Sequence, residues 1–277
     1  MKVMKFGGTS VGSPERIKNV CKLITNSGEP TFVVLSAMSG TTNSLVEITD
    51  YLYKKNQEGA SEIINRLEEK YIKVANELFS TEEYKSKALD FLKGEFEYLH
   101  SFTKDFFTSF EEKAIVGQGE IISTNLTAEY LEEQNVKVVL FNALDFMRTD
   151  KNGEPDMQYI KEKLGEMMAA NPDYQIYLTQ GFICRNAYGE VDNLQRGGSD
   201  YSASLIGAAI QADEIQIWTD IDGMHNNDPR FVEQTEAVRQ LNFEEAAELA
   251  YFGAKILHPT CVQPAKYAGI PVRLKNT

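Results

Sequence analysis

Hydrophobic positions along the 277-residue chain fall into two patterns, short continuous runs and long stripes at helical spacing. Val3 to Phe6 is the first short run. A polar turn, Gly7-Gly8-Thr9-Ser10, follows, and then Ser13-Pro14, an N-cap and first-turn pair that predicts a helix to about Asn26. Thr31 to Ser36 is a continuous β-branched run, as expected of a strand buried on both faces. Its loop, Ala37 to Asn43, opens another helix. Strand, loop and helix thus occur twice in succession, which favours a parallel α/β sheet.

Between Glu58 and Phe110 the period changes. Ile64, Leu67, Tyr71, Val74 and Leu78 recur at helical spacing, as do Leu92, Phe96, Leu99, Phe102, Phe106 and Phe110. Two long antiparallel helices broken near Ser80-Thr81 account for both stripes, the aromatic one being read as core packing rather than a ligand surface. The α/β alternation then returns. Strands are predicted near Val136–Phe141, Gln175–Thr179, Glu214–Trp218 and Pro271–Leu274. Helices are predicted near Gly119–Glu133, Pro155–Asn171, Asp200–Gln211, Asn242–Tyr251 and Pro259–Ala268. Phe182–Arg185 and Glu190–Asn193 read as a hairpin around Asn186-Ala187-Tyr188-Gly189. The expectation is a single two-lobed domain over residues 1–277, with a soft boundary near residues 175–195.

Composition narrows the function classes. The 28 Lys and Arg against 41 Asp and Glu leave a net charge of −13. Such a surface repels phosphate backbones and anionic lipids, so neither nucleic-acid nor membrane binding is expected. No apolar run approaches the roughly 18 residues of a spanning helix. Met1 to Gly8 lacks the apolar core and cleavage site of a signal peptide. Cys21, Cys184 and Cys261 are widely spaced and without a CxxC, which suggests neither a disulfide framework nor a zinc site. A reduced, cytoplasmic protein is expected.

Four loops after predicted strands carry small residues beside charges. In Lys5-Phe6-Gly7-Gly8-Thr9-Ser10, the glycines let a ligand approach the backbone and successive amides form an anion-binding concavity. Lys5 interrupts an apolar strand, either as an edge-strand lysine that blocks aggregation or as a ligand group. Ser36 to Asn43 is rich in hydroxyls, more than N-capping alone requires. Gln195-Arg196-Gly197-Gly198-Ser199-Asp200 flanks a Gly-Gly-Ser turn with an arginine and an aspartate. Asp200 reads as a simple cap or, beside Arg196, as part of a ligand site. Thr219-Asp220-Ile221-Asp222-Gly223, continuing to Asn227-Asp228-Pro229-Arg230, is either a nucleotide-facing loop or a solvated acidic turn.

Absent motifs also decide. There is no GxxxxGK[ST], no GxGxxG after a strand, no HExxH, no GxSxG and no protein-kinase HRD and DFG pair. His100, His225 and His258 form no cluster, so a histidine metal site is not expected. Residue chemistry alone points to a phosphate-handling α/β enzyme without a P-loop.

The same residues carry a resemblance. KFGGTSVG at Lys5–Gly12, LSAMSGTTN at Leu35–Asn43, GQGEIIST at Gly117–Thr124 and QGFI at Gln180–Ile183 occur in order with RGGSDYSAS at Arg196–Ser204. WTDIDG at Trp218–Gly223, DPR at Asp228–Arg230 and GAKILHP at Gly253–Pro259 complete the series. The chain resembles the aspartate kinases of the amino-acid kinase superfamily over nearly all its length.

The resemblance implies a three-layer αβα fold with a mainly parallel open sheet and a helical insert near residues 58–112. It also implies an amino-acid-binding lobe near residues 1–180 and an ATP-binding lobe near 181–277. The implied reaction is ATP-dependent phosphorylation of the L-aspartate β-carboxylate to 4-phospho-L-aspartate, the entry to lysine, threonine and methionine biosynthesis. ATP and Mg²⁺ would be the cofactors, and family habit points to a homodimer.

By motif, Lys5 and Lys255 would bracket the phosphoryl group, with Gly7 and Gly8 supplying amides and Asp200 pairing with a lysine or the metal. Ser36 and Thr42 would face the β-carboxylate, and Arg196, with Gly197 and Ser199, the α-carboxylate. Glu120 would take the α-ammonium. Thr219, Asp220, Asp222, His225, Asp228 and Arg230 would line ATP, together with Lys5, Gly7, Gly8 and Lys255. No protein side-chain metal site is implied.

Three departures stand out. Gln195 stands where the family often has glycine, and His225 where a tyrosine is common. The chain also stops at Thr277, where similar proteins continue into ACT-type domains or a homoserine dehydrogenase, so a catalytic domain without an end-product inhibition site is expected. The alternatives are another superfamily kinase, acting on glutamate or acetylglutamate, or a catalytically silent ligand-binding domain.

Overall fold

Alternation within the short strands sets the architecture. In β1 (Lys2–Phe6), Met4 and Phe6 enter one apolar cluster and Val3 another. The chain then forms α1 (Pro14–Thr25), β2 (Thr31–Leu35), α2 (Thr41–Tyr53), α3 (Gln57–Leu78), α4 (Glu82–Ser101), α5 (Ser109–Val116) and α6 (Gln118–Glu133). Next come β3 (Val138–Phe141), α7 (Ala143–Phe146), α8 (Met157–Ala169), β4 (Ile176–Gln180), β5 (Ile183–Arg185) and β6 (Val191–Asn193). The last elements are α9 (Gly198–Ile210), β7 (Glu214–Thr219), α10 (Phe243–Tyr251), α11 (Gln263–Ala268) and β8 (Val272–Asn276). This computed structural model describes residues 1–104, 106–194, 197–229, 231–254 and 257–277.

Six strands form one parallel sheet in the order β3-β4-β2-β1-β7-β8, and β5 and β6 make a separate antiparallel hairpin. Every residue of β2 and β4 is buried, because helices cover both faces as parallel sheets require. One face packs Met4, Phe6, Val33, Leu35 and Leu178 against α1, α2, α3, α4 and α6. The other packs Val3, Phe32, Val34, Tyr177, Ile215 and Ile217 against α7, α8, α9 and α11. The result is the expected three-layer αβα arrangement.

Local signals account for the ends of elements. Ser13 caps α1 by accepting from the Arg16 amide, and Pro14 occupies its first turn. α5 and α10 open with reciprocal capping boxes, Thr108 with Glu111 and Asn242 with Glu245. Small residues let α9 lie close to the sheet: a side chain on Gly207 would come within 2.5 Å of Ile215.

Two sequence expectations change. The aromatic stripe ends with Leu99 and Phe102, because the helix stops at Ser101. Phe106 is 97% exposed, and Phe110 belongs to α5 and is exposed. The helix expected at Pro259–Ala268 is divided into a 3-10 helix, Pro259–Val262, and α11. Pro264, without an N–H, sits at the start of the second piece. Among the described residues no helix is long and apolar enough to cross a membrane.

Candidate active site

All six sheet strands run in one direction, so their carboxyl ends meet at one rim. In an open α/β sheet that rim, where successive connections leave to opposite sides, is where ligands bind. Here β1 lies between β2 and β7, and the loops leaving these three strands are stitched together by backbone hydrogen bonds. The Ser39 amide donates to Gly8 O at 3.0 Å, Ser36 to Phe6 O at 3.2 Å and Gly7 to Trp218 O at 3.2 Å. β4 joins through the Gly181 amide, 2.9 Å from Leu35 O.

Lys5 is not on an edge. It pairs with Val34 of β2 and Ile217 of β7 in the middle of the sheet and is 9% exposed. Its Nζ lies 2.7 Å from Asp200 Oδ1, on the first turn of α9. Strand alternation explains the meeting, because Lys5 shares the face of Val3, against which α9 packs. A Cβ on Gly7 would be 3.5 Å from that Nζ, which places the ammonium beside the glycine turn. The Gly7 amide is donated to Trp218, whereas among the described residues the Gly8 and Thr9 amides donate to no protein carbonyl. Gly8 approaches its neighbour so closely that a Cβ would sit 2.7 Å from Ala37 O.

Glu120, on the first turn of α6, is 4% exposed. Its Oε1 accepts from the Ala37 amide at 3.2 Å, while Oε2 is buried without a hydrogen-bond partner among the described residues. Burial pushes its carboxyl up to about 7, against the opposing pull of the Ala37 amide and the Lys5 charge. A buried carboxyl with one idle oxygen near a lysine suits a cationic ligand group. Ser36 and Thr42 are half-buried, Ser36 just after β2 and next to Ala37, Thr42 in the first turn of α2.

Gly197 and Ser199 sit where α9 begins. Gly197 adopts φ +69°, and a Cβ there would lie 1.8 Å from Cys261 Sγ. Ser199 is buried against Gly181, where a Cβ would come within 2.3 Å. Thr219 ends β7 and Asp220 follows it, with the Thr219 hydroxyl donating to Asp220 Oδ1 at 3.1 Å. Asp222 is exposed and accepts from His225 Nε2 at 2.6 Å, which holds its carboxyl below the usual carboxylate range. His225 Nδ1 meets Thr235 Oγ1 at 2.9 Å, so both ring nitrogens are used within the loop. Asp228 is 1% exposed. Arg196, Arg230 and Lys255 lie outside the described residues, as does Gln195.

The geometry therefore unites Lys5, Gly7, Gly8, Ser36, Glu120 and Asp200 around the ends of β1 and β2, with Thr219 and Asp220 on the adjoining strand. A cleft of about 840 Å³ adjoins Asp222 and Gly223, between α10 and β8, and is lined by none of Lys5, Glu120 or Asp200. Three contributors carry no chemical signature of their own: the Ala37 amide on Glu120, Cys261 beneath Gly197, and Tyr71, whose hydroxyl lies 2.9 Å from Thr41 Oγ1 beside Thr42.

Comparison with known proteins bears on the fold. Residues 1–276 match the amino acid kinase family. The chain is 37% identical over 292 residues to chloroplastic aspartokinase 1 of Arabidopsis thaliana, covering 99% of this chain and 50% of that protein. It is 33% identical over 273 residues to lysine-sensitive aspartokinase 3 of Escherichia coli, covering 98% and 60%. The crystal structure of E. coli aspartokinase III with aspartate and ADP superposes with a TM-score of 0.88 at 30% identity, over 100% of this chain and 62% of that one. The chain thus spans about half to three-fifths of the length of these relatives. On its fold and on the match across residues 1–276, the chain belongs to the amino acid kinase family.

Proposed function

We propose that the chain forms the catalytic domain of an aspartate kinase and transfers the γ-phosphoryl group of ATP to the β-carboxylate of L-aspartate. The observation that carries this reading is the pairing of Lys5 with Asp200 at the sheet's central rim, across from a buried Glu120 with one oxygen uncommitted. Likeness to an aspartokinase that binds aspartate and ADP supports it.

The acceptor carboxylate, with an ordinary pKa near 3.9, is ionised at neutral pH, so no base is needed to create the nucleophile. The protein's task is to bring two anions together and to offset charge on the transferred group. Asp200 fixes Lys5, whose ammonium and the free amides of Gly8 and Thr9 receive phosphoryl oxygens. Gly7, lacking a side chain, keeps that approach open. Ser36 and Thr42 orient the β-carboxylate, Glu120 accepts the α-ammonium, and Arg196 meets the α-carboxylate beside Gly197 and Ser199. Lys255 and Arg230 complete the nucleotide side with Thr219, Asp220, Asp222 and Asp228. His225 acts by shaping the loop. The two lobes, near residues 1–180 and 181–277, divide amino acid from nucleotide.

Among the described residues no group of three or more ligating side chains is placed to hold a metal. The carboxylates proposed for the nucleotide side, Asp220 and Asp222, would suit Mg²⁺ entering with the nucleotide, since this ion keeps waters and leans on phosphate oxygens with one or two carboxylates. When bound, it would neutralise phosphate charge. A reduced cytoplasmic setting and a homodimer belong to the same reading.

ADP release with Mg·ATP and L-aspartate, L-glutamate, N-acetylglutamate or no acceptor tests the proposal. Release should require aspartate and fall about 10²–10³-fold in Lys5→Ala. Release only with another acceptor would overturn the substrate. Absence of release with every acceptor would overturn the activity of this chain.

A further inference from the structure

The loop after β1 and the end of β7 are joined by a side chain from the far end of the sequence. Ser10 is 2% exposed, and its Oγ lies 3.2 Å from Thr277 Oγ1. Thr277 Oγ1 is also 3.2 Å from Thr219 O, and the Thr277 amide donates to that same carbonyl at 3.0 Å. A carbonyl only accepts, so the Thr277 hydroxyl donates to Thr219 and its oxygen receives the Ser10 hydroxyl. The relay is therefore directional, from Ser10 through Thr277 to Thr219.

Its neighbours leave the relay little freedom. Gly7 is already tied to Trp218 O, one residue before Thr219. Phe6 stacks on the Trp218 ring at 5.6 Å between centroids, and Lys275 Nζ lies 5.1 Å from the centroid of the Trp218 ring. The glycine turn is thus anchored to β7 at its start by Gly7 and at its end by Ser10. Between the two anchors lie Gly8 and Thr9, whose amides donate to no carbonyl among the described residues. Thr219 itself leads into Asp220, to which its hydroxyl donates.

We infer that Thr277 is a positioning residue for nucleotide binding: its hydroxyl locks the glycine turn to the acidic loop and so sets the span between phosphate-facing amides and Asp220. The inference rests on the reading above that these two loops hold the nucleotide. Substitution to valine keeps the side chain's shape and the backbone bond to Thr219 but removes the relay, whereas serine keeps the hydroxyl.

Calorimetric titration of ADP into the full chain, with steady-state kinetics alongside, tests it in the parent chain, Thr277→Val, Thr277→Ser, Ser10→Ala and the Ser10→Ala/Thr277→Val double variant. Thr277→Val should weaken ADP binding and raise KM for ATP about 3–10-fold, with KM for aspartate unchanged. Thr277→Ser should restore parental values, and the double variant should match the singles, since one relay is broken once. Parental ADP affinity in Thr277→Val would overturn the inference. So would a loss of thermal stability with no change in ADP affinity, or equal changes in both KM values. If the parent chain binds no ADP, the nucleotide reading falls and the inference with it.

Discussion

Glu120 and Glu129 are a natural contrast at the scale of single residues. Both lie on α6, both are buried, and burial pushes both carboxyls up to about 7. The Lys5 charge opposes the shift at Glu120, while Lys87 opposes it and Glu132 adds to it at Glu129. Each acid is thus harder to ionise in the folded chain than unfolded, where it titrates near 4.5. The unfolded state releases its proton first as pH rises, so each group lowers stability progressively between pH 4.5 and about 7, and the cost is full above that. Glu120→Gln and Glu129→Gln, which keep shape, should both raise the thermal midpoint at pH 8 and leave it unchanged at pH 4. Only Glu120→Gln should also raise KM for aspartate, by tenfold or more on the order of a lost buried ion pair. Thermal scans at both pH values with parallel kinetics separate the two. Unaltered aspartate KM in Glu120→Gln would remove that residue from the site.

At the scale of elements, the start of α9 is held by shape as well as by the Lys5–Asp200 pair. Gly197 has φ +69°, costing an L side chain about 1–2 kcal/mol, and a Cβ there would also overlap Cys261 Sγ at 1.8 Å. Gly197→Ala should therefore destabilise the chain by about 2–4 kcal/mol and reduce turnover, because the turn carries Asp200 toward Lys5. Adding Cys261→Ala, which takes away the overlapping sulfur, should recover stability to within about 1–2 kcal/mol of the parent, the left-handed cost that remains. Urea denaturation of the single and double variants measures both. This packing also marks where sequence reading stops. The βα order, the hairpin and the helical insert were legible because their periods are long and their caps ordinary. Lys5 was legible as an anomaly in an apolar strand, but its central place was not: β7, its neighbour, lies more than two hundred residues away in sequence. The extra turn of aromatic stripe at Phe106 and Phe110 misled for the opposite reason, since spacing persists past the point where the backbone leaves the helix. Ala37, Tyr71 and Cys261 were invisible because an amide, a phenol in a core stripe and a buried thiol announce nothing until the fold brings them to the rim.

For the whole molecule, one rim serves two apolar cores. β1 contributes to both, and its loop is bonded to those of β2 and β7, so ligands at the rim fasten segments from both ends of the sequence. A ligand that binds only the folded chain stabilises it by RT ln(1 + [L]/Kd), about 2.7 kcal/mol at a hundredfold excess over Kd. At about 2.1 cal/mol/K of unfolding entropy per residue, the 277-residue chain should then gain about 5 °C in its thermal midpoint. The proposed division of the site between amino acid and nucleotide makes the gains separable. ADP and aspartate should each produce that shift in the parent chain. On the proposed role of Glu120 in meeting the amino acid, Glu120→Gln should lose the aspartate shift and keep the ADP shift. Lys5→Ala should do the reverse in degree, weakening the ADP shift more than that of aspartate. Differential scanning calorimetry with each ligand at matched multiples of its parental Kd resolves these six cases. Loss of both shifts in Glu120→Gln would mean that the rim is one indivisible pocket. Loss of neither would move the amino acid elsewhere on the molecule.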